Sequence, residues 1–173
     1  MTSRDTSTLR PMPPWDDTER ATLIALLQER PQHRSWPDLV AEVMEVGSAR
    51  AVWDARHDPS LFDAGPPAPV VAAAEQINRW RASGISVHTF RDADYPAQLR
   101  EIHQVPPVLF TRGTLDPGER AVSVVGSRCA SDEGIDWARE LSTSLVAAGI
   151  TVVSGLAAGI DTAVHTATLD VGG

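Results

Sequence analysis

Lysine is absent from this chain: all fifteen basic residues are arginine, and 23 acidic residues outnumber them for a formal net charge of −8. Without a lysine there is no GxxxxGK[ST] loop, which excludes ATP binding by that standard motif. The acidic excess opposes nucleic-acid binding driven by bulk charge, because nonspecific affinity comes from neutralising phosphates with basic side chains. Cysteine is scarce as well. The single Cys129 excludes an intramolecular disulfide and fits a reducing, cytoplasmic compartment. With no partner histidine or second cysteine in its motif, it reads as a small loop residue. The amino-terminal stretch also lacks an apolar run: Met1 to Pro14 is polar and proline-dotted, neither signal peptide nor spanning helix, and reads as a disordered tail.

What is present suffices for a real core. The chain has 173 residues and is 42% hydrophobic, room for one or two small domains. Asp16, with Glu19 three residues on, has the form of a helix start leading into Ala21, Leu23, Ile24 and Leu27. Ser35 and Asp38 repeat the signature before Leu39, Val40, Val43 and Met44, and Arg50 to Trp53 continues into a third short helix. This predicts a small helical domain over residues 15–56. Trp15, Trp36, Trp53 and Trp80 sit at helical spacing among aliphatic residues, where tryptophan is more often core than a base-stacking surface.

Residues 57–69 are rich in proline and glycine and read as a linker, and a Rossmann-like core is expected over 70–173. Within it, Val70 to Ala82 predicts a helix closed by Gly84, Ile85 to Phe90 a strand, Tyr95-Pro96 the start of a short helix, and Val108 to Phe110 another strand. The end of the chain carries the clearest pattern. Val122, Val124 and Val125 form an apolar β-branched run that stops at Gly126, Ser131 stands as an N-cap, and Ile135, Ala138, Leu141, Leu145 and Ala148 follow at helical spacing before Gly149. Ile150, Val152 and Val153 then repeat the strand, Ser154-Gly155 the turn, and Gly159-Ile160-Asp161 the helix start. Two consecutive strand–helix pairs with short links imply a parallel sheet. With the two upstream strands added, the sheet would have four strands with helices on both faces. The fold class is α/β, a partial Rossmann-like parallel sheet with flanking helices, preceded by a small helical domain.

Loops at the carboxyl ends of parallel strands lie beside helix N-termini, whose unpaired N–H groups and dipole attract anions. Gly126, Gly155 and Gly159 would let backbone approach a phosphate, and Arg128 adds a planar fork suited to two phosphate oxygens. Glycines end strands in any α/β domain, but two such turns in register, one with an arginine in an acidic segment, favour an anion site. Neither is a dinucleotide fingerprint. Gly126-Ser127-Arg128 lacks the spaced glycines of GxGxxG, and Ser154 stands where the ribose-binding acid would be. Asp161 reads as a helix-start carboxylate that caps N–H groups, with His165 one turn on and within hydrogen-bonding reach of it. No metal or cofactor is implied.

In order and spacing, VSVVGSR at 122–128, VVSGLAAGID at 152–161, and His165 followed by Gly172-Gly173 resemble the DNA-processing family DprA, also called Smf. DADYPAQLREI at 92–102 and PPVLFTRG at 106–113 look like that family's lead-in to its core. Val164 and Thr168 depart from the family pattern, which has alanine at both positions. The resemblance implies an extended Rossmann-like domain that binds single-stranded DNA, protects it and helps load the RecA recombinase in natural transformation, with no bond made or broken. It places Ser127 and Arg128 of the first loop, with Gly126, and Gly155, Leu156, Ala157 and Gly159 of the second, against DNA. Family members continue well beyond the position of Gly173, so the resemblance also implies that the surface for dimerisation and for RecA lies in chain that follows. Two alternatives stand beside it: a truncated product with little activity, and a nucleotide-processing enzyme of the nucleoside-monophosphate phosphoribohydrolase type. The second-loop glycine cluster with a following glutamate that marks those enzymes is absent here.

Overall fold

The structure, a computed structural model, describes residues 15–30, 34–57, 65–114, 116 and 118–173. The tail expected over 1–14 and residues 58–64 of the expected linker lie outside them. The chain folds as two units, residues 1–117 and 118–173.

The first unit opens with α1 (Asp17–Gln28), α2 (Trp36–Val46) and α3 (Ala49–Arg56). Each start has a named cap. The Asp16 carboxylate accepts from the Glu19 N–H at 2.8 Å. Ser35 and Asp38 form a complete reciprocal box. At α3 the Ser48 hydroxyl accepts from Ala51 N–H at 3.1 Å, and a second cap comes from another helix: Glu19 accepts from Ala49 N–H at 2.7 Å and from the Ser48 hydroxyl at 2.6 Å. Glu19 therefore does not close a box with Asp16 but joins α1 to α3. The fourth helix, α4 (Ala68–Ala82), lays Val70, Ala73 and Ile77 into the same core as Leu23, Leu26, Leu39, Val43 and Val52. Trp15 and Trp53 are buried, while Trp36 and Trp80 pack on the core's edge, so all four serve as structure.

Strands β1 (Ser86–Thr89) and β2 (Val108–Thr111) belong to this unit and pair with each other, antiparallel, with Val87 opposite Phe110. Among the described residues the two upstream strands do not join the later ones in a four-stranded sheet: β1 and β2 make one two-stranded sheet, and the two later strands make another. The segment between β1 and β2 accounts for the antiparallel return. It contains the short helix α5 (Ala97–Arg100) and is folded back on itself by buried polar contacts. Asp92 accepts from Thr89 N–H at 2.7 Å and from Arg20 Nη2 of α1 at 2.6 Å, and the fully buried Tyr95 donates its hydroxyl to Pro106 O at 2.7 Å. Burial alone would raise the Asp92 carboxyl's pKa; the Arg20 guanidinium and the Thr89 N–H outweigh it and hold it below the usual carboxylate range. Asp17 sits at about 2 for a related reason: Arg81 of α4 grips it with two N–H groups, at 2.9 and 2.8 Å, against a weaker opposing effect of burial.

The second unit is a βαβα run: β3 (Ala121–Ser123), α6 (Asp132–Ala147), β4 (Thr151–Val153) and α7 (Ile160–Asp170). The two strands are parallel, Val122 opposite Val152, as the repeated pattern requires. Ser131 caps α6 through the Gly134 N–H at 3.2 Å. Val124, Ala138, Ala163 and Val164 form the buried centre, with Ile135, Leu145, Val152 and Ile160 around it. Val164, where the resembled family has alanine, is thus a core residue. The chain is a mixed α/β protein: a mainly helical unit that also carries the antiparallel β1–β2 pair, then a unit with a Rossmann-like parallel pair.

Candidate functional site

The two glycine turns meet. Both strands of the parallel pair end at the same level, and the Ser154 hydroxyl of the second turn donates to Val124 O of the first strand's end at 2.7 Å. Between the turns sits Asp161, at the start of α7 and only 5% exposed. Its two carboxylate oxygens accept from one turn each: Oδ1 from Gly126 N–H at 3.3 Å and Oδ2 from Gly155 N–H at 3.1 Å. Burial would raise its pKa, but hydrogen bonds from the Gly126, Ala157 and Gly155 N–H groups together hold it below the ordinary carboxylate range. The anion that these two glycine N–H groups bind is therefore supplied by the protein. Asp161 makes no bond to His165. Its carboxylate is turned to the glycines, and His165 Nε2 is buried without a partner among the described residues.

Close approach fixes the glycines. A Cβ on Gly159 would lie 2.3 Å from Ser127 O and 2.7 Å from Arg128 O, and its φ of +83° favours glycine in any case. One on Gly126 would meet the Ile160 side chain at 2.7 Å. The Ile160 N–H donates to Ser127 O at 3.1 Å, which pins the first turn to the second. On the outer side of this pinned pair lie Ser127, Arg128 and Leu156, all exposed, with Ala157 half-buried. Ser127 Oγ accepts from Cys129 N–H at 3.1 Å and stiffens its own turn. Among the described residues the Arg128 guanidinium has no ion-pair or hydrogen-bond partner. Leu156 is 79% exposed and has a φ of +58°, a left-handed conformation in which a branched apolar side chain is strained.

The seven residues singled out in the sequence, Gly126, Ser127, Arg128, Gly155, Leu156, Ala157 and Gly159, thus form one contiguous surface. The glycines and Asp161 make its frame, and Ser127, Arg128 and Leu156 its face. Other arginines are differently placed: Arg81 is engaged by Asp17, Arg79 pairs with Glu75 at 3.9 Å, and Arg112 donates to Ser83 O at 3.3 Å. Sequence reasoning passed over Trp137, which is 66% exposed on α6. It lies four residues before Leu141, itself 48% exposed, so apolar spacing alone gave no sign that this side of the helix is uncovered. Among the described residues no cluster of three or more metal-ligating side chains forms, and no helix is long and apolar enough to cross a membrane.

Comparison with known proteins supplies the remaining context. Residues 86–173 match the family model of DNA recombination-mediator protein A. The chain is 47% identical over 87 residues to the Smf protein of Synechocystis sp., covering 47% of this chain and 22% of that protein. It is 43% identical over 83 residues to the DNA processing protein DprA of Streptococcus pneumoniae, covering 47% of this chain and 29% of the relative. With the DprA of Bacillus subtilis it shares 34% identity over 96 residues, 54% of this chain and 32% of that one. The X-ray structure of DprA from Streptococcus pneumoniae superimposes with a TM-score of 0.57 at 27% identity, over 93% of this chain and 56% of that chain. The matched portions span only about a fifth to a third of those curated relatives' lengths.

Proposed function

Because the chain belongs to the family of DNA recombination-mediator protein A, known as DprA or Smf, we propose that it binds single-stranded DNA through the paired turns of its second unit, without catalysis. In this reading Ser127 and Arg128 meet a backbone phosphate from the first turn, and Leu156 and Ala157 line the second. Gly126 and Gly155, held by Asp161, and Gly159, close against Ser127 O, keep both turns tight enough for one strand of DNA to touch both. The observation that carries it is Arg128. An exposed guanidinium, unpaired among the described residues in a segment dominated by acids, is completed by the bidentate geometry of a phosphate. Asp161, the carboxylate closest to both turns, is committed to backbone N–H groups, which favours a framing role over acid–base chemistry.

The relatives' names speak of DNA processing and the family's of recombination mediation; the wider role we propose goes beyond those words, to a cytoplasmic protein that protects incoming single strands and helps hand them to a RecA-type recombinase during transformation. Titration of a labelled single-stranded oligonucleotide against wild type and Arg128→Ala tests the DNA contact. The variant is expected to bind about tenfold more weakly, the scale of one charge-assisted contact of about 1.4 kcal/mol. Equal affinities would reject the loop assignment.

A further inference from the structure

We propose that Trp137, framed by Val125, Leu141 and Ile160, is a base-stacking platform beside the phosphate-facing turn; this rests on the single-stranded-DNA reading above and adds to it a site for the bases. Trp137 is the one tryptophan of the second unit, and its indole is 66% exposed where Trp15 and Trp53 of the first unit are 6% and 4%. It does not stand alone. Trp137, Leu141 and Ser144 follow one another at i, i+4 and i+7 along α6, beside the buried row of Ala138 and Ser142. Val125, 69% exposed, faces the same cleft, which has a volume of about 510 Å³.

The cleft is contiguous with the turn. Ile160 forms its inner wall, and the same Ile160 side chain occupies the space where a Cβ on Gly126 would sit. Val125 leads directly into Gly126, Ser127 and Arg128. A DNA strand whose phosphate meets Arg128 therefore has an apolar, aromatic-lined recess at its side. The chemistry of the recess selects the base over the backbone. Its one charged lining residue is Glu140, and no cation lines it, so phosphate is disfavoured while an uncharged, flat ring is not. An indole face accepts any base, because every base has a π-face, which suits binding without sequence preference.

The test compares two labelled single strands of equal length, an oligothymidylate and an abasic strand with the same phosphates, on the full chain as wild type, Trp137→Ala, Trp137→Phe and Arg128→Ala. Wild type is expected to prefer the base-bearing strand by about tenfold, the scale of one stacked base. Trp137→Ala should abolish that preference while leaving the abasic affinity unchanged, Trp137→Phe should keep most of it, and Arg128→Ala should weaken both strands alike. If Trp137→Ala binds oligothymidylate as well as wild type does, the platform is rejected and the phosphate contact stands. A loss of abasic affinity in Trp137→Ala would also reject it, since the residue would then act through the fold or through a protein contact. Failure of wild type to bind either strand would reject both readings.

Discussion

At the scale of single residues, the site depends on backbone that only glycine tolerates. Gly149 and Gly159 both have positive φ, +65° and +83°, but they differ in surroundings: a Cβ on Gly149 meets nothing within 4 Å, whereas one on Gly159 would strike Ser127 O at 2.3 Å. The contrast separates conformational strain from close approach. Gly149→Ala is expected to cost about 1 kcal/mol, the price of a left-handed backbone for an L-residue. Gly159→Ala adds a collision with two carbonyl oxygens and is expected to cost about 3 kcal/mol. Urea denaturation followed by far-ultraviolet circular dichroism checks both values. If the two costs are equal, the turns are not in contact and the site is not one surface. Leu156 is the complementary case, a non-glycine residue held at positive φ and kept exposed, where strain persists because the surrounding turn fixes it.

At the scale of elements, the helix starts show what a sequence discloses and what it conceals. Ser35 with Asp38 was legible as a capping box, since both partners lie within one turn. Asp16 with Glu19 had the same spacing, yet only the first half formed; Glu19 instead caps α3 through Ala49 N–H and the Ser48 hydroxyl. A partner some thirty residues away leaves no local trace. The same limit hid the strand pairing. Each strand was readable from its apolar run, but the antiparallel return of β2 onto β1 depends on Asp92, Arg20 and Tyr95 meeting in space. The turns of the site were legible because glycine after a β-branched run is a local signal. Their bridging by Asp161 was visible only as a helix-start carboxylate, and Trp137 was missed because exposure on α6 depends on which neighbours the helix finds. Glu19→Ala follows from this as a prediction about α3. It is expected to destabilise the first unit by about 1 kcal/mol, and to speed hydrogen exchange at the amides of Ala49 and Arg50 before those of α2. Unchanged exchange at those amides would mean that Ser48 alone caps the helix.

At the scale of the whole molecule, a net charge of −8 has to be reconciled with a polyanionic ligand. Most arginines with described partners are already neutralised by them. Arg20 bonds Asp17 and Asp92, Arg81 bonds Asp17, and Arg34 and Arg56 converge on Glu42. In the second unit Arg139 pairs with Asp136 at 3.3 Å. The acidic excess disfavours a broad basic surface, so the proposed affinity comes from few contacts and from apolar contact with bases. Salt dependence reads that number directly. Each phosphate neutralised on a single strand contributes a slope of about −0.7 to log K against log salt. Contact through the Ser127–Arg128 turn, with one or two phosphates, therefore predicts a total slope of about −1, and Arg128→Ala should flatten it by about 0.7. Fluorescence anisotropy titrations across a range of sodium chloride concentrations measure both slopes. A wild-type slope as steep as about −4 would require six phosphate contacts, more than the paired turns can make, and would place the binding on a distributed surface instead. A shallow slope that Arg128→Ala leaves unaltered would remove Arg128 from the interface and leave the bases as its principal anchor.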